Sequence, residues 1–165
     1  MSATQIKQQQ EEELHSKLDY TFDEKLEYLS VKLSAEKGRC VYAKTDIKAG
    51  SYIVEYAGEL MSQKEGKIRE EEYSKDPNIG SYIYFFEFKG EKYCIDATKE
   101  SGRYGRLFNH SCKIDNCKMK RVEYPEGTPR LILEAKRDIE EGEELLYDYG
   151  DKSAASLKVH PWLAS

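Results

Sequence analysis

Three short clusters in this chain combine residue types and spacings that could do chemistry. Tyr147 and Tyr149 stand two apart at the end of the apolar run Glu143-Glu-Leu-Leu-Tyr147-Asp148-Tyr149-Gly150-Asp151. Side chains alternate along an extended strand, so both phenols project to one side and can reach one site. The acidic, glycine-containing continuation points to a strand that ends at an opening, although two aromatic core residues would give the same spacing. A second cluster, Arg106-Leu-Phe-Asn109-His110-Ser111-Cys112, closes another apolar segment. Asn and His there offer hydrogen bonds to a polar ligand, or equally satisfy a buried loop. In the third, Lys37-Gly38-Arg39, the absent side chain lets the backbone approach a ligand closely. An exposed turn between two charges reads the same way.

These clusters need elements to position them. Residues 1 to about 29 place Leu14, Leu18, Phe22, Leu26 and Leu29 on one face of a helix, an amphipathic arm frayed before Glu11. Short apolar, β-branched or aromatic runs follow at 31–33, 41–43, 52–56, 82–88, 92–96, 118–123, 131–135 and 144–147, with Lys89-Gly90 as a tight hairpin turn. Ser62-Gln-Lys-Glu65 has the form of a capping box and opens a charged helix that must stop before Pro77. A short helical turn is expected around Gly102 to Leu107, and a last small helix from Ser153 to Val159, halted by Pro161. The octets Ala43-Lys-Thr-Asp46-Ile47-Lys-Ala-Gly50 and Ala135-Lys-Arg-Asp138-Ile139-Glu-Glu-Gly142 match at five of eight positions. They are either two like units packed in one curved β fold or the same turn chemistry used twice.

A length of 165 residues fits one hydrophobic core. No run is apolar enough to span a bilayer, and the polar N-terminus has no signal-peptide pattern, so a soluble intracellular protein with reduced Cys40, Cys94, Cys112 and Cys117 is expected. The formal charge of -5 argues against non-specific binding to nucleic acid and suits a cationic partner, though it also simply favours solubility. Thirteen tyrosines against five phenylalanines is an unusual bias. Each buried phenol needs a hydrogen-bond partner, so many should line something wet.

The ordered set Gly38-Arg39, Glu55-Tyr56-Ala57-Gly58-Glu59, Arg106-Leu-Phe-Asn109-His110-Ser111 and Gly142-Glu-Glu-Leu-Leu-Tyr147-Asp-Tyr149-Gly150 resembles the motifs of the SET domain. Within that superfamily the chain is most similar to the PR-Set enzymes, which monomethylate lysine 20 of histone H4. Leu145-Leu-Tyr-Asp-Tyr-Gly-Asp151, Tyr93-Cys-Ile-Asp-Ala-Thr98 and the tail from Lys152 to Trp162-Leu163 carry that narrower likeness, over about residues 24 to 165. The resemblance implies a mostly β fold of several small curved sheets, β-clip-like, with a knot-like threading of the last strand and a flanking helix at each end. It divides the chain into a flank at 1–29, the SET domain at 30–151 and a C-terminal helix and tail at 152–165.

It also implies a protein lysine methyltransferase using S-adenosylmethionine and releasing S-adenosylhomocysteine. Lys37, Gly38, Arg39, Tyr82, Asn109, His110 and Trp162 would hold the donor. Tyr149 would sit beside the transferred methyl, Tyr147 would occupy the position that limits product to one methyl group, and Tyr56 would wall the same tunnel. The implied substrate is the histone H4 tail or nucleosome in the nucleus, on chromosomes, with no sequence-specific nucleic acid, no membrane and a monomeric protein. A catalytically silent SET domain that binds a tail or partner, or a methyltransferase for a non-histone protein, are the alternatives. Two departures stand out: Cys40 replaces a second glycine of the family's turn, and Cys112 and Cys117 lack the cysteine-rich tail that completes a zinc site in other members, so no metal is expected.

Overall fold

The computed structural model describes residues 2–18, 23–80, 82–150 and 164–165. Ten strands and two helices are assigned among them. Helix α1 (Ala3–Leu18) is followed by a 3-10 turn at Asp23–Lys25, then by the hairpin β1 (Leu29–Ser34) and β2 (Gly38–Ala43). Strand β4 (Glu59–Ser62) pairs with β6 (Glu91–Asp96), which pairs in turn with β5 (Ile83–Phe88). The third sheet runs β3 (Tyr52–Glu55), β9 (Pro129–Ala135), β8 (Cys117–Glu123), β10 (Leu146–Tyr147), β7 (Asn109–His110). The expected mostly β architecture of small sheets is what forms.

Local sequence logic holds at several joints. Lys89 and Gly90 both take positive φ, 50° and 80°, and join β5 to β6 in register Phe88 opposite Glu91, the twist a two-residue hairpin needs. Helix α2 (Gln63–Ser74) starts where Ser62 Oγ accepts a hydrogen bond from Glu65 N at 3.2 Å, and it stops before Pro77.

The two like octets meet face to face. Ile47 and Ile139 exchange both backbone hydrogen bonds at 2.8 Å, Gly50 N donates to Ala135 O, and Gly142 N donates to Ala43 O. Asp46 accepts from Glu141 N while Asp138 accepts from Ala49 N, at 2.8 and 2.9 Å. The repeat is therefore one reciprocal clasp, with Ile47 and Ile139 in the main core beside Ile53, Phe108, Leu133 and Leu145. Asp46→Ala and Asp138→Ala should each cost about 0.5–1 kcal/mol in urea unfolding, because water can replace an exposed acceptor only in part. Unchanged midpoints in both variants would leave the clasp without an energetic role.

The N-terminal segment departs from the helix expected to 29. Helix α1 is already formed at Ala3, without fraying before Glu11, and ends at Leu18; Phe22 lies outside the described residues. Leu26 reaches the core from the residues just after the 3-10 turn, and Leu29 from β1. The physical reason is long-range. Asp23, buried, accepts from Arg103 Nε at 3.0 Å and Tyr104 N at 2.7 Å, and Tyr28 Oη donates to Ile53 O at 2.5 Å. These bonds outweigh continued helix. Arg103 also reaches Glu55, which Arg130 holds through two nitrogens at 2.9 and 3.0 Å, and Arg130 donates to Leu18 O. The flank is thus bolted to the end of β3 and to the segment leading into Asn109. The small helix expected at Ser153 to Val159 lies outside the described residues.

Candidate active site

The glycine turn opens β2. Gly38 has φ +76°, a conformation that L side chains rarely adopt, which accounts for glycine there. Its neighbours point to two different carboxylates. Lys37 Nζ lies 2.9 Å from Glu144 Oε1, and that bond raises the Lys37 pKa; the Arg39 guanidinium pairs with both oxygens of Glu100. Pairing with Arg39 in turn holds the Glu100 carboxyl below its ordinary range. Cys40, the departure from the family's second glycine, strains nothing: Lys89 is the one non-glycine residue at positive φ among the described residues. Its thiol is fully buried, with Asn109 Nδ2 at 3.3 Å, and burial pushes its pKa up.

The segment carrying Asn109 begins with a 3-10 turn, Gly105–Leu107. Gly105 lies so close to Glu55 and Tyr56 that an added methyl group would overlap the Glu55 carbonyl oxygen. Buried Arg106 donates to Ala97 O at 2.7 Å and Thr98 O at 3.0 Å, forms an ion pair with Glu100 at 2.9 Å, and stacks its guanidinium 4.2 Å from the Tyr82 ring centre. Asn109 Nδ2 faces Arg39 O at 3.1 Å and Glu144 Oε2 at 3.2 Å. Parallel pairing of β7 with β10 sets His110 opposite Tyr147. His110 Nδ1 accepts from Tyr149 N at 3.0 Å, and its ring lies edge-on to Tyr149 at 4.9 Å.

Four phenols gather beside this loop. Tyr147 and Tyr149 have ring centres 4.7 Å apart, so the two-residue spacing does deliver them to one place. Tyr84 lies 6.1 Å from Tyr56 and 6.5 Å from Tyr147. Tyr149 Oη donates to Phe108 O and Tyr56 Oη to Tyr82 O, both at 2.9 Å. With its proton committed to a carbonyl, each of these oxygens can act toward a further partner only as an acceptor. Burial raises the pKa of all four, and for Tyr56 and Tyr147 the neighbouring phenols add to it. None serves as a base near neutral pH.

A cavity of about 550 Å³ joins these parts. Lys37, Arg39, Tyr82, Asn109 and Tyr149 line it, together with Arg106, Leu107, Phe108 and the end of α2. Among the expected site residues, His110 lies under Tyr149, Tyr56 and Tyr147 form the phenol wall behind it, and Trp162 lies outside the described residues. The volume, apolar lining and convergent polar groups fit a nucleoside-sized ligand with an amino-acid end, which is the shape of S-adenosylmethionine. Tyr84 escaped sequence reasoning, although its spacing of two from Tyr82 was a usable signal. Glu100 and Glu144 were missed too, their partners lying 61 and 107 residues away. No group of metal-ligating side chains occurs among the described residues.

The model of the SET domain matches residues 38–150, from the glycine turn to the residue after Tyr149. The chain belongs to the SET-domain family. It is 50% identical over 135 residues to the N-lysine methyltransferase KMT5A-A of Danio rerio, covering 82% of this chain and 39% of that protein. It is also 50% identical over 137 residues to the histone-lysine N-methyltransferase set-1 of Caenorhabditis elegans, covering 83% and 56%. The crystal structure of CpSET8 from Cryptosporidium superposes with a TM-score of 0.69 at 44% identity, covering 76% of this chain and 58% of that one. The chain thus spans roughly two-fifths to just over half of these curated relatives. In this SET domain, β10 lies between β7 and β8, the two arms of a single loop from Asn109 to Cys117. Asn116 fixes it there, its Nδ2 donating to Glu144 O and its Oδ1 accepting from Leu146 N. Both arms of the loop that the resemblance has the last strand thread thus pair with β10.

Proposed function

We propose that this chain carries the catalytic region of a protein lysine methyltransferase that places one methyl group on a histone tail, on lysine 20 of histone H4, at chromatin in the nucleus. Residues 30–151 would form the catalytic domain, with 1–29 and 152–165 as its flanks. The observation that carries the reading is the junction, at Tyr149, of the 550 Å³ cavity with a cluster of four phenols, two buried and two half-buried. Relatives named as lysine methyltransferases at 50% identity support it.

S-adenosylmethionine, when bound, supplies an electrophilic methyl group and a positive charge that disfavours a second cation nearby. Lys37, Gly38, Arg39, Tyr82, Asn109, His110 and Trp162 would hold it. A substrate lysine has an ordinary pKa of about 10.4 and reacts only as the free amine. A passage walled by Tyr56, Tyr84, Tyr147 and Tyr149 excludes water, lowers that pKa by desolvation, and so releases the proton to solvent before reaction. The hydroxyl oxygens of Tyr149 and Tyr56 accept the remaining amine hydrogens and aim the nitrogen. The Tyr147 hydroxyl would hold a water and leave less room for an already methylated amine. The net charge of -5 draws in a basic tail.

The test is incubation with S-adenosylmethionine and nucleosomes, followed by mass spectrometry to locate and count methyl groups. Wild type should give monomethyl-lysine on histone H4, and Tyr147→Phe should shift product toward dimethyl-lysine. Methylation elsewhere would overturn the choice of substrate, an unchanged product distribution would overturn the role of Tyr147, and no methylation would favour a silent binding module.

A further inference from the structure

The basic flanks of the glycine turn are each held by an acidic residue from a distant part of the chain. Glu144 grips Lys37 with one oxygen and Asn109 Nδ2 with the other, at 2.9 and 3.2 Å. Glu100 takes the Arg39 guanidinium on both oxygens and lies 2.9 Å from Arg106 Nη1. Gly38, between the two grips, is the residue with most backbone freedom. Four cavity-lining residues from two separate segments are therefore tied by two carboxylates, neither of which lines the cavity itself. Glu144 also sits three residues before Tyr147, in the segment leading into β10, and its carbonyl is held by Asn116.

We propose that Glu100 and Glu144 are positioning residues that preform the donor pocket, acting through Arg39, Arg106, Lys37 and Asn109 rather than by touching the donor. This rests on the methyl-donor reading of the cavity. Without the grips, Lys37 and Arg39 repel one another across a flexible glycine, and ordering them falls on the donor's own binding energy. The pairs are substantially solvent-exposed on one or both sides, 41% and 18% for Lys37 and Glu144, 41% and 61% for Arg39 and Glu100. The contribution of Glu144 to global stability is accordingly small, so its binding defect separates from a folding defect, whereas Glu100 also faces buried Arg106, 3% exposed, and its loss carries a stability cost of its own.

Calorimetric titration with S-adenosylhomocysteine tests this, using wild type, Glu100→Gln, Glu144→Gln and the double variant, each near-isosteric. Each single change should raise the dissociation constant roughly ten-fold, with the melting temperature within about 2 °C of wild type for Glu144→Gln and lower for Glu100→Gln, which takes the carboxylate from buried Arg106. In turnover assays the donor KM should rise by a similar factor while kcat stays within about two-fold, as expected when uniform binding is lost. Rising salt should weaken wild-type binding more than that of the double variant, because only the former has ion pairs to screen. Variants that bind as tightly as wild type, or more tightly, would overturn the proposal. A wild-type protein that fails to bind S-adenosylhomocysteine would overturn the donor reading itself, a result distinguishable from the first.

Discussion

Tyr149→Phe should lower methyl transfer by a hundred-fold or more in kcat, about 3 kcal/mol of lost transition-state stabilisation, while the protein stays folded. The hydroxyl removed donates its proton to a backbone carbonyl, Phe108 O at 2.9 Å, and belongs to a residue that lines the cavity. Because burial drives the Tyr149 pKa far above neutrality, its effect is hydrogen bonding rather than proton abstraction, and activity should show no titration belonging to it between pH 6 and pH 9. Losing the bond to Phe108 also costs about 1 kcal/mol of stability, which must be separated from catalysis. Tyr28→Phe provides that control. Tyr28 Oη makes the same kind of bond to Ile53 O at 2.5 Å, burial raises its pKa to about 12, and it lies outside the cavity lining. Mass-spectrometric rates should therefore fall in Tyr149→Phe alone, with both variants melting slightly early. Equal rates in the two would remove Tyr149 from the chemistry.

What was legible in the sequence followed from local rules. The Ser62 cap, the Lys89-Gly90 turn and the like spacing of Asp46 and Asp138 each involve residues within a few positions of one another, where propensity and turn geometry decide. Gly38, Asn109, Tyr147 and Tyr149 stood out for another reason: each is a residue type that does something its neighbours cannot, at a strand end or a positive-φ turn, and the resemblance to the SET domain gave them their expected roles. Tyr84 was passed over because an aromatic residue inside an aromatic strand looks like core despite its spacing of two from Tyr82, and its approach to Tyr56 and Tyr147 reveals a fourth wall. Glu100 and Glu144 were hidden for the opposite reason, being two charges among 31 acidic residues whose partners are set by topology. The failure at the N-terminal flank has the same origin. Leu14 to Leu29 satisfy helical periodicity, yet Asp23 finds Arg103 some 80 residues away, and a buried ion pair overrides a propensity worth tenths of a kcal/mol per residue.

That ion pair sets the second large effect, in stability. Arg103→Met should destabilise the protein by about 3–5 kcal/mol, lowering the melting temperature by roughly 6–15 °C for a domain of this size. The side chains of Asp23 and Glu55 are 3% and 6% exposed, and Arg103 is the cation between them, 3.0 Å from one and 3.4 Å from the other. Without it Glu55 still has Arg130, but Asp23 keeps only the Tyr104 amide as a partner for a buried charge. The penalty thus comes from the stranded carboxylate more than from the lost attraction. Asp23→Asn combined with Arg103→Met should be less destabilised than Arg103→Met alone, which is the sign that distinguishes a stranded charge from lost packing. The network also touches function by position: Asp23 holds Tyr104, Gly105 packs on Glu55 and Tyr56, and four residues later the chain presents Asn109. Loosening it should weaken S-adenosylhomocysteine binding at temperatures well below the melting transition, because the loop is released before the core. A melting temperature within 2 °C of wild type for Arg103→Met would mean that the flank is not bolted to the domain by these charges.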